Sequence, residues 1–346
     1  MSRRLVWAIL AAMMVLLSLS GVAQAEIERS DGGYFSLVDE EGRVIHQTGL
    51  WVTVGDEYIT ASNERFRVVR VEGDTAHCRY VGKEKMPKVG GQSGRLSMAL
   101  PLGVPVVGGG RPTIAIYHTH NDESYVPSDG TDSRRGRGGI VDVGDALRDK
   151  LQSIGINAIH DQTSHEPHDP NAYYRSRRTA TKLLKKGPIL LVDIHRDSVP
   201  PQVYSTEVKG TRATKVKLVV GRQNANISSN LEFAKRLKAQ MDQVTPGLSG
   251  GIFVGKGNYN QDLSPRAILV EVGADSNDKK AAEQGISLFA QSLPPVLGIE
   301  AAPAKKPLGV NRRGGQPADW SSILWVLVAV GVAYGAYVYL NRRRTK

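Results

Sequence analysis

The 346-residue chain has a single cysteine, Cys78. An intramolecular disulfide framework and a multi-cysteine zinc site are therefore excluded, and Cys78 reads as a small, half-buried hydrophobe in a strand. Composition has no extremes. Apolar residues make up 40% and charged residues 23%, which rules out wholesale disorder, collagen and a multi-span membrane protein. The body also lacks a charge excess. Of the formal net charge of +11, Arg3 and Arg4 carry +2, residues 301–319 carry +3 and residues 320–346 carry +4, leaving +2 for residues 26–304. A nucleic-acid-binding body is not expected from this distribution.

Two segments, 5–25 and 321–340, contain no charge at all. The first follows Arg3-Arg4, runs apolar from Leu5 to Leu17 and ends in Ala23-Gln24-Ala25, the pattern of a secretory signal peptide over residues 1–25. Cleavage after Ala25 is expected, with retention as an N-terminal anchor as the alternative. The second, 321–340, is as long as one transmembrane helix needs. It is edged by Trp320, Trp325 and Tyr339 and followed by the tail 341–346 with Arg342, Arg343 and Arg344, which the positive-inside rule assigns to the cytoplasm. Residues 301–319, rich in Pro, Gly, Lys and Arg, read as a basic linker. A single-pass protein with its body on the outer, wall-facing side of the cell membrane is expected.

Between these signals the pattern changes once. Residues 26–100 read as a small β-rich domain: Tyr34–Val38, Val44–His46, Leu50–Val54, Tyr58–Thr60 and Phe66–Val71 are short β-branched or aromatic runs punctuated by Gly, Asp and Asn. The Gly- and Pro-rich stretch 88–110 marks a boundary. From 107 to 300, apolar strands alternate with amphipathic helices, predicting an α/β fold with a mostly parallel sheet flanked by helices. In such sheets ligands bind at the carboxyl ends of the strands.

The chemistry-bearing residues gather at those ends. Thr113–Tyr117 is followed by His118, His120 and Glu123; Ile189–Val192 by Asp193, His195 and Arg196; and Ile268-Leu-Val leads into Glu271. His120 and Glu123, spaced to meet one ion in a turn, make with His195 a two-histidine, one-glutamate set suited to catalytic Zn²⁺. His118 is the alternative to His120. Glu271 is left as the general base, a carboxylate whose pKa an apolar strand raises and a nearby zinc ion lowers. Arg196 and Asn260 are candidates to hold substrate. His46 and His77 read as strand or surface residues, His160, His165 and His168 as a solvated loop, and the basic helix around Arg175–Lys186 as a solvated face.

Four ordered stretches resemble the stage II sporulation protein P family: Ile116–Tyr125, Leu191–Asp197, Val220-Gly221 with the Asn-rich segment to Asn230, and Asn260–Gly273. Together they cover about residues 112–290. The resemblance implies an N-acetylmuramoyl-L-alanine amidase-like, zinc-dependent hydrolase acting on septal peptidoglycan during engulfment of the forespore, with peptide cleavage of wall cross-links as a further activity. It also implies stage II sporulation proteins D and M as partners. The related general amidases carry ligand histidines and a catalytic glutamate at positions corresponding to His120, His195 and Glu271. Their ligand glutamate falls where this chain runs Arg134 to Ile140 without an acid, so Glu123 stands in for it. A C-terminal membrane run departs from the N-terminal anchor expected of the family. Two rivals to the amidase reading are a peptidoglycan endopeptidase and a non-catalytic, wall-binding septal scaffold.

The topology has a direct test. Protease added to intact protoplasts is expected to degrade residues 26–304 and to spare a tag placed after Lys346; protection of the body would reverse the orientation.

Overall fold

The computed structural model describes residue 29, residues 31–89 and residues 112–299. The expected signal peptide, basic linker, transmembrane helix and tail lie outside the described residues. Among those described, no helix is long and apolar enough to cross a membrane.

The first five strands are β1 (Phe35–Val38), β2 (Val44–Thr48), β3 (Glu57–Ile59), β4 (Glu64–Glu72) and β5 (Thr75–Lys83). Then follow β6 (Thr113–Tyr117), α1 (Val126–Asp129), α2 (Ile140–Ser153), β7 (Asn157–His160), α3 (Ala172–Leu184) and β8 (Leu190–Asp197). The hairpin β9 (Ser205–Val208) and β10 (Thr211–Thr214) leads into β11 (Val216–Gly221), α4 (Ile227–Val244), β12 (Ser249–Gly255), β13 (Ala267–Ala274), α5 (Lys279–Ala290) and α6 (Leu293–Leu297). All strands except β9 and β10 join one eleven-stranded sheet, ordered β2-β1-β5-β4-β3-β12-β11-β13-β8-β6-β7.

This architecture corrects two expectations. The N-terminal strands do not form a domain of their own. β3 pairs with β12 (Ile59 opposite Ile252, Tyr58 opposite Phe253), so β1–β5 extend the same sheet. Phe35, Leu37, Phe66 and Val68 share one core with Val219, Phe253 and Leu269. Short alternating strands advertise an apolar face but not the surface that face will cover, and here it is the flank of the α/β sheet. The sheet is also mixed. The pairs β7-β6, β6-β8, β8-β13, β11-β12 and β1-β5 are parallel. The pairs β13-β11, β12-β3, β3-β4, β4-β5 and β1-β2 are antiparallel. Leu50–Val54, expected as a strand, is mostly loop, because Asp56 accepts from the Thr53 N–H at 2.7 Å and closes a turn there.

The two faces of the α/β part differ in kind. Ile114, Ile116, Val192, Ile194, Leu218, Val220, Ile268, Val270 and Val272 point to one side. There they pack against Val143, Leu147 and Leu151 of α2, Phe233 and Leu237 of α4, and Ile286 and Phe289 of α5. On the opposite face β6 and β8 place Ala115, Tyr117 and Leu191 against Ala180 and Leu183 of α3. The period-two alternation of a strand puts Asp193, His195 and Asp197 of β8, Glu271 of β13 and Lys217 of β11 on this second face. Glu271 is registered with His195 on one side and Lys217 on the other.

Buried charge on this face ties the N-terminal strands to the sheet. Lys217 Nζ donates to Asp197 Oδ2 (2.6 Å) and Thr48 Oγ1 (3.1 Å), and both Lys217 and Asp197 are inaccessible to solvent. Asp197 also accepts from Gly49 N (2.7 Å) and Tyr204 Oη (2.8 Å). Burial works against its ionisation, but Lys217 and the Gly49 N–H prevail and lower the carboxyl to about 2. A free carboxyl in the unfolded chain titrates near 3.9. The stabilisation is therefore whole above about pH 4 and is lost as the pH falls through about 2, on the order of 2–3 kcal/mol from this group. Urea unfolding followed between pH 5 and 2 is expected to show that loss, and the double variant Asp197→Asn/Lys217→Met to flatten it. An unchanged acid limb in the double variant would remove Asp197 as its source.

Candidate metal centre and active site

The loop after β6 is shaped before any ligand is considered. Glu123 N donates back to His120 O at 3.4 Å, a turn that brings positions i and i+3 together. The segment from Arg134 to Ile140 wraps this turn: Gly138 N donates to Asn121 O (2.8 Å) and Ile140 N to Glu123 O (3.0 Å). A Cβ at Gly138 would sit 2.0 Å from the Glu123 carbonyl oxygen, so only glycine allows this approach. This stretch is the backbone cradle that holds Glu123.

The structure brings His120, Glu123 and His195 together, all buried, with one candidate ligand atom from each within 4.8 Å of the others. Glu123 Oε1 accepts from His195 Nδ1 at 3.1 Å and stands 3.4 Å from His120 Nδ1. Its other oxygen accepts from Arg196 N at 2.8 Å. Burial opposes ionisation of Glu123, yet His195 and the imidazole contacts hold its carboxyl well below the usual range. Burial likewise opposes a charge on His195, but Asp193 and Glu123 draw the imidazole well above its ordinary value.

The donor set fits a metal ion. Ligand atoms held at about 2.0–2.1 Å in a tetrahedron stand roughly 3.3 Å apart; the two separations from Glu123 Oε1, 3.1 and 3.4 Å, bracket that spacing, and candidate ligand atoms of all three residues lie within 4.8 Å of one another. His195 Nε2 lies 3.1 Å from Asp193 Oδ1, the carboxylate–histidine arrangement that orients a ligand imidazole. Asp193 is itself held by Thr119 N at 2.8 Å.

Glu271 is 1% exposed, and its Oε2 has no hydrogen-bond partner among the described residues. Burial first, then the negative charge of Asp197, raises its carboxyl well above the ordinary range. A protonatable carboxyl thus lies on the strand next to His195.

The remaining candidates are placed differently. His118 points away from the cluster: Nδ1 donates to Ile194 O at 2.9 Å and Nε2 lies 2.7 Å from His160 Nε2. Arg196 supports Glu123 through its backbone, while its guanidinium donates to Asp132 O at 3.1 Å. Asn260 is buried, its amide donating to Tyr173 O (3.1 Å) and Ser176 Oγ (3.0 Å). It braces the segment carrying Tyr173, whose ring stacks 6.1 Å from His195 and meets His120 edge-on at 5.5 Å.

The segment read as a solvated histidine loop is built into the fold. His165 Nδ1 donates to His118 O at 2.7 Å. His168 stacks on His120 with ring centroids 3.9 Å apart and contacts Asp122 at 3.1 Å. Tyr173 and His168 carried no signal in the linear pattern, because a Pro- and Asp-rich loop and the start of an amphipathic helix look alike whether or not they fold over a site.

Comparison with known proteins is consistent along the chain. Residues 74–294 match the family described as Stage II sporulation protein P (SpoIIP), so the match reaches into β5 and across the expected domain boundary. Stage II sporulation protein P of Bacillus subtilis (strain 168) is 32% identical over 206 residues, covering 53% of this chain and 51% of that protein. The aligned part thus spans about half the length of that relative. Among solved structures, the chain is similar to the CwlD amidase of Clostridioides difficile in complex with the GerS lipoprotein (15% identity, 55% of this chain and 100% of that chain, TM-score 0.39). It is also similar to the catalytic domain of CwlV, an N-acetylmuramoyl-L-alanine amidase from Bacillus (Paenibacillus) polymyxa var. colistinus (15% identity, 55% and 99% coverage, TM-score 0.38).

Calorimetric titration of the metal-free chain with Zn²⁺ is expected to show one equivalent bound. His120→Ala, Glu123→Ala and His195→Ala are each expected to abolish it, since three protein ligands are the least that a catalytic site of this kind uses. Undiminished binding in any one of them would remove that residue from the set.

Proposed function

The chain belongs to the stage II sporulation protein P family, and from that premise we propose that it is a zinc-dependent peptidoglycan hydrolase of sporulation that cleaves the amide between N-acetylmuramic acid and L-alanine. The observation that carries the proposal is the buried His120–Glu123–His195 cluster with the carboxyl of Glu271 on the adjoining strand. A wall-binding scaffold would have no use for a buried, raised-pKa carboxyl beside a metal-ligand set.

Zinc bound at the cluster would supply a Lewis acid and bring the pKa of water to roughly 7. The chain's own residues do the rest. Glu123 and His195 fix the donor geometry, and Asp193 holds the His195 ring in one orientation. Glu271 takes a proton from the attacking water as its oxygen bonds to the lactyl carbonyl carbon. It returns that proton to the alanine nitrogen as the C–N bond breaks, leaving a lactyl carboxylate and a free amine. Burial raises the proton affinity of the carboxyl, and a cation held at the cluster would offset this so that Glu271 starts ionised and can take and return the proton. Tyr173 and His168, flanking the two imidazoles, are placed to border the substrate.

The uncharged runs and their basic flanks support a cell-membrane protein tethered with this site on the wall-facing side, and family membership supports stage II sporulation proteins D and M as partners.

Mass spectrometry of purified peptidoglycan digested by the full-length chain tests the bond. Free lactyl groups and new L-alanine amino termini are expected; cleaved cross-bridges would mean an endopeptidase, and an unaltered wall a scaffold. Glu271→Gln is expected to leave zinc content and fold unchanged and to lower turnover by on the order of 10²–10⁴. Lost zinc, or turnover within a few-fold of wild type, would remove Glu271 from the proton-transfer role.

A further inference from the structure

Of the polar clusters outside the ligand set, one runs from helix α2 to both ligand-bearing strands. Asp145 Oδ1 accepts from His160 Nδ1 at 2.9 Å. His160 Nε2 and His118 Nε2 lie 2.7 Å apart; with both Nδ1 atoms donating, one further proton shared between the rings makes this a hydrogen bond, and the Asp145 carboxylate faces its charge. His118 Nδ1 then donates to Ile194 O at 2.9 Å. We infer that His160 is a positioning residue for the metal centre, acting through His118 on the backbone that carries His120 and His195. The inference rests on the metal reading above.

Three observations carry it. The first is where the relay ends. His118 is two residues before His120, and Ile194 immediately precedes His195. The β6–β8 ladder is registered from Ile114 opposite Leu190 to Tyr117 opposite Asp193. Just past that point, the His118 side chain makes the next link between the two strands. The far side of the same residue is held as well, since His165 Nδ1 donates to the His118 carbonyl at 2.7 Å and His165 Nε2 meets Thr179 Oγ1 at 2.8 Å.

The second is burial. His118 is 1% exposed and the His160 side chain is fully buried, while Asp145 reaches the surface, so the two rings are shielded from water. Breaking one leaves a buried polar atom without its partner, a penalty the strand ends would relieve by shifting.

The third is Gly144, in the interior of α2. Glycine there costs about 1 kcal/mol relative to alanine. A Cβ at this position would sit 2.6 Å from both His118 Nε2 and His160 Nε2. The helix forgoes a side chain at the one place where the two rings need the room. Asp145, the next residue, supplies the acceptor that orients His160. The helix therefore furnishes both the cavity and the anchor of the relay.

A ligand must be held to within about 0.5 Å of its productive position, and removing an outer partner of a metal ligand typically costs 10–100-fold in metal affinity. The test is the zinc dissociation constant of the full-length chain, measured by competition with a chromophoric chelator, beside thermal unfolding of the metal-free protein. His160→Ala is expected to weaken zinc binding by roughly 10–100-fold, Asp145→Asn by less in the same direction, and His160→Gln, which keeps a hydrogen-bonding end, to recover part of the loss. If His160→Ala does not fold, Asp145→Asn and His160→Gln carry the comparison. Zinc binding within two-fold of wild type in the folded variants, with the whole effect appearing as a lower unfolding temperature, would overturn the inference and leave the metal centre standing. A wild-type chain that binds no zinc would overturn both.

Discussion

A fully buried carboxylate organises the centre of this protein. Glu123 has no solvent-accessible surface, and an isolated anion in such a place is untenable. One oxygen faces the Nδ1 atoms of His120 and His195, and the other receives the Arg196 N–H. His120 comes from the loop after β6, and His195 and Arg196 from β8, so that loop and that strand must meet at one point. The glycine-rich wrap at 136–139 follows from the same demand, since a side chain at Gly138 would collide with the Glu123 backbone.

The charge on the second face of the sheet extends well beyond that carboxylate. Asp193 pairs with His195, and Asp197 with Lys217, while Glu271 sits between His195 and Lys217 in the strand register. Buried ion pairs seldom stabilise a fold by much, but removing one partner is costly, on the order of 3–5 kcal/mol. That asymmetry explains why the N-terminal strands are integral. Thr48 and Gly49 complete the coordination of Asp197. A fold that began at β6 would leave that carboxylate short of donors two residues from a candidate metal ligand.

The histidines show how one residue type is put to two uses. His120 and His195 face each other across Glu123 with their rings nearly perpendicular, at 80°. His118, His160 and His165 instead face backbone carbonyls, a carboxylate and one another. The first pair converges on one carboxylate as a candidate ligand set. The other three turn both ring nitrogens to partners inside the fold, and His118 thereby links the end of β6 to β8.

Much of this was legible in the linear chain. Apolar runs of strand length alternating with amphipathic helices specified an α/β sheet, because burial follows the period of the backbone. That His195 and Glu271 share one face of neighbouring strands followed from the same periodicity, and the i, i+3 spacing pointed to the turn that joins His120 to Glu123. What periodicity does not encode is the partner of each face. The edge of β12 that receives β3, the antiparallel direction of β11, and the folding of the 160–173 segment over the site each depend on contacts between residues far apart in sequence. Local pattern reports that a side chain is buried or polar; only the packed structure decides what it is buried against. Hence His118 and His120, two positions apart in one loop and indistinguishable by composition, become a brace and a candidate ligand. Strand alternation does not separate them, since both fall on the same parity, and the turn closed by Glu123 with the Ile194 carbonyl on the neighbouring strand does.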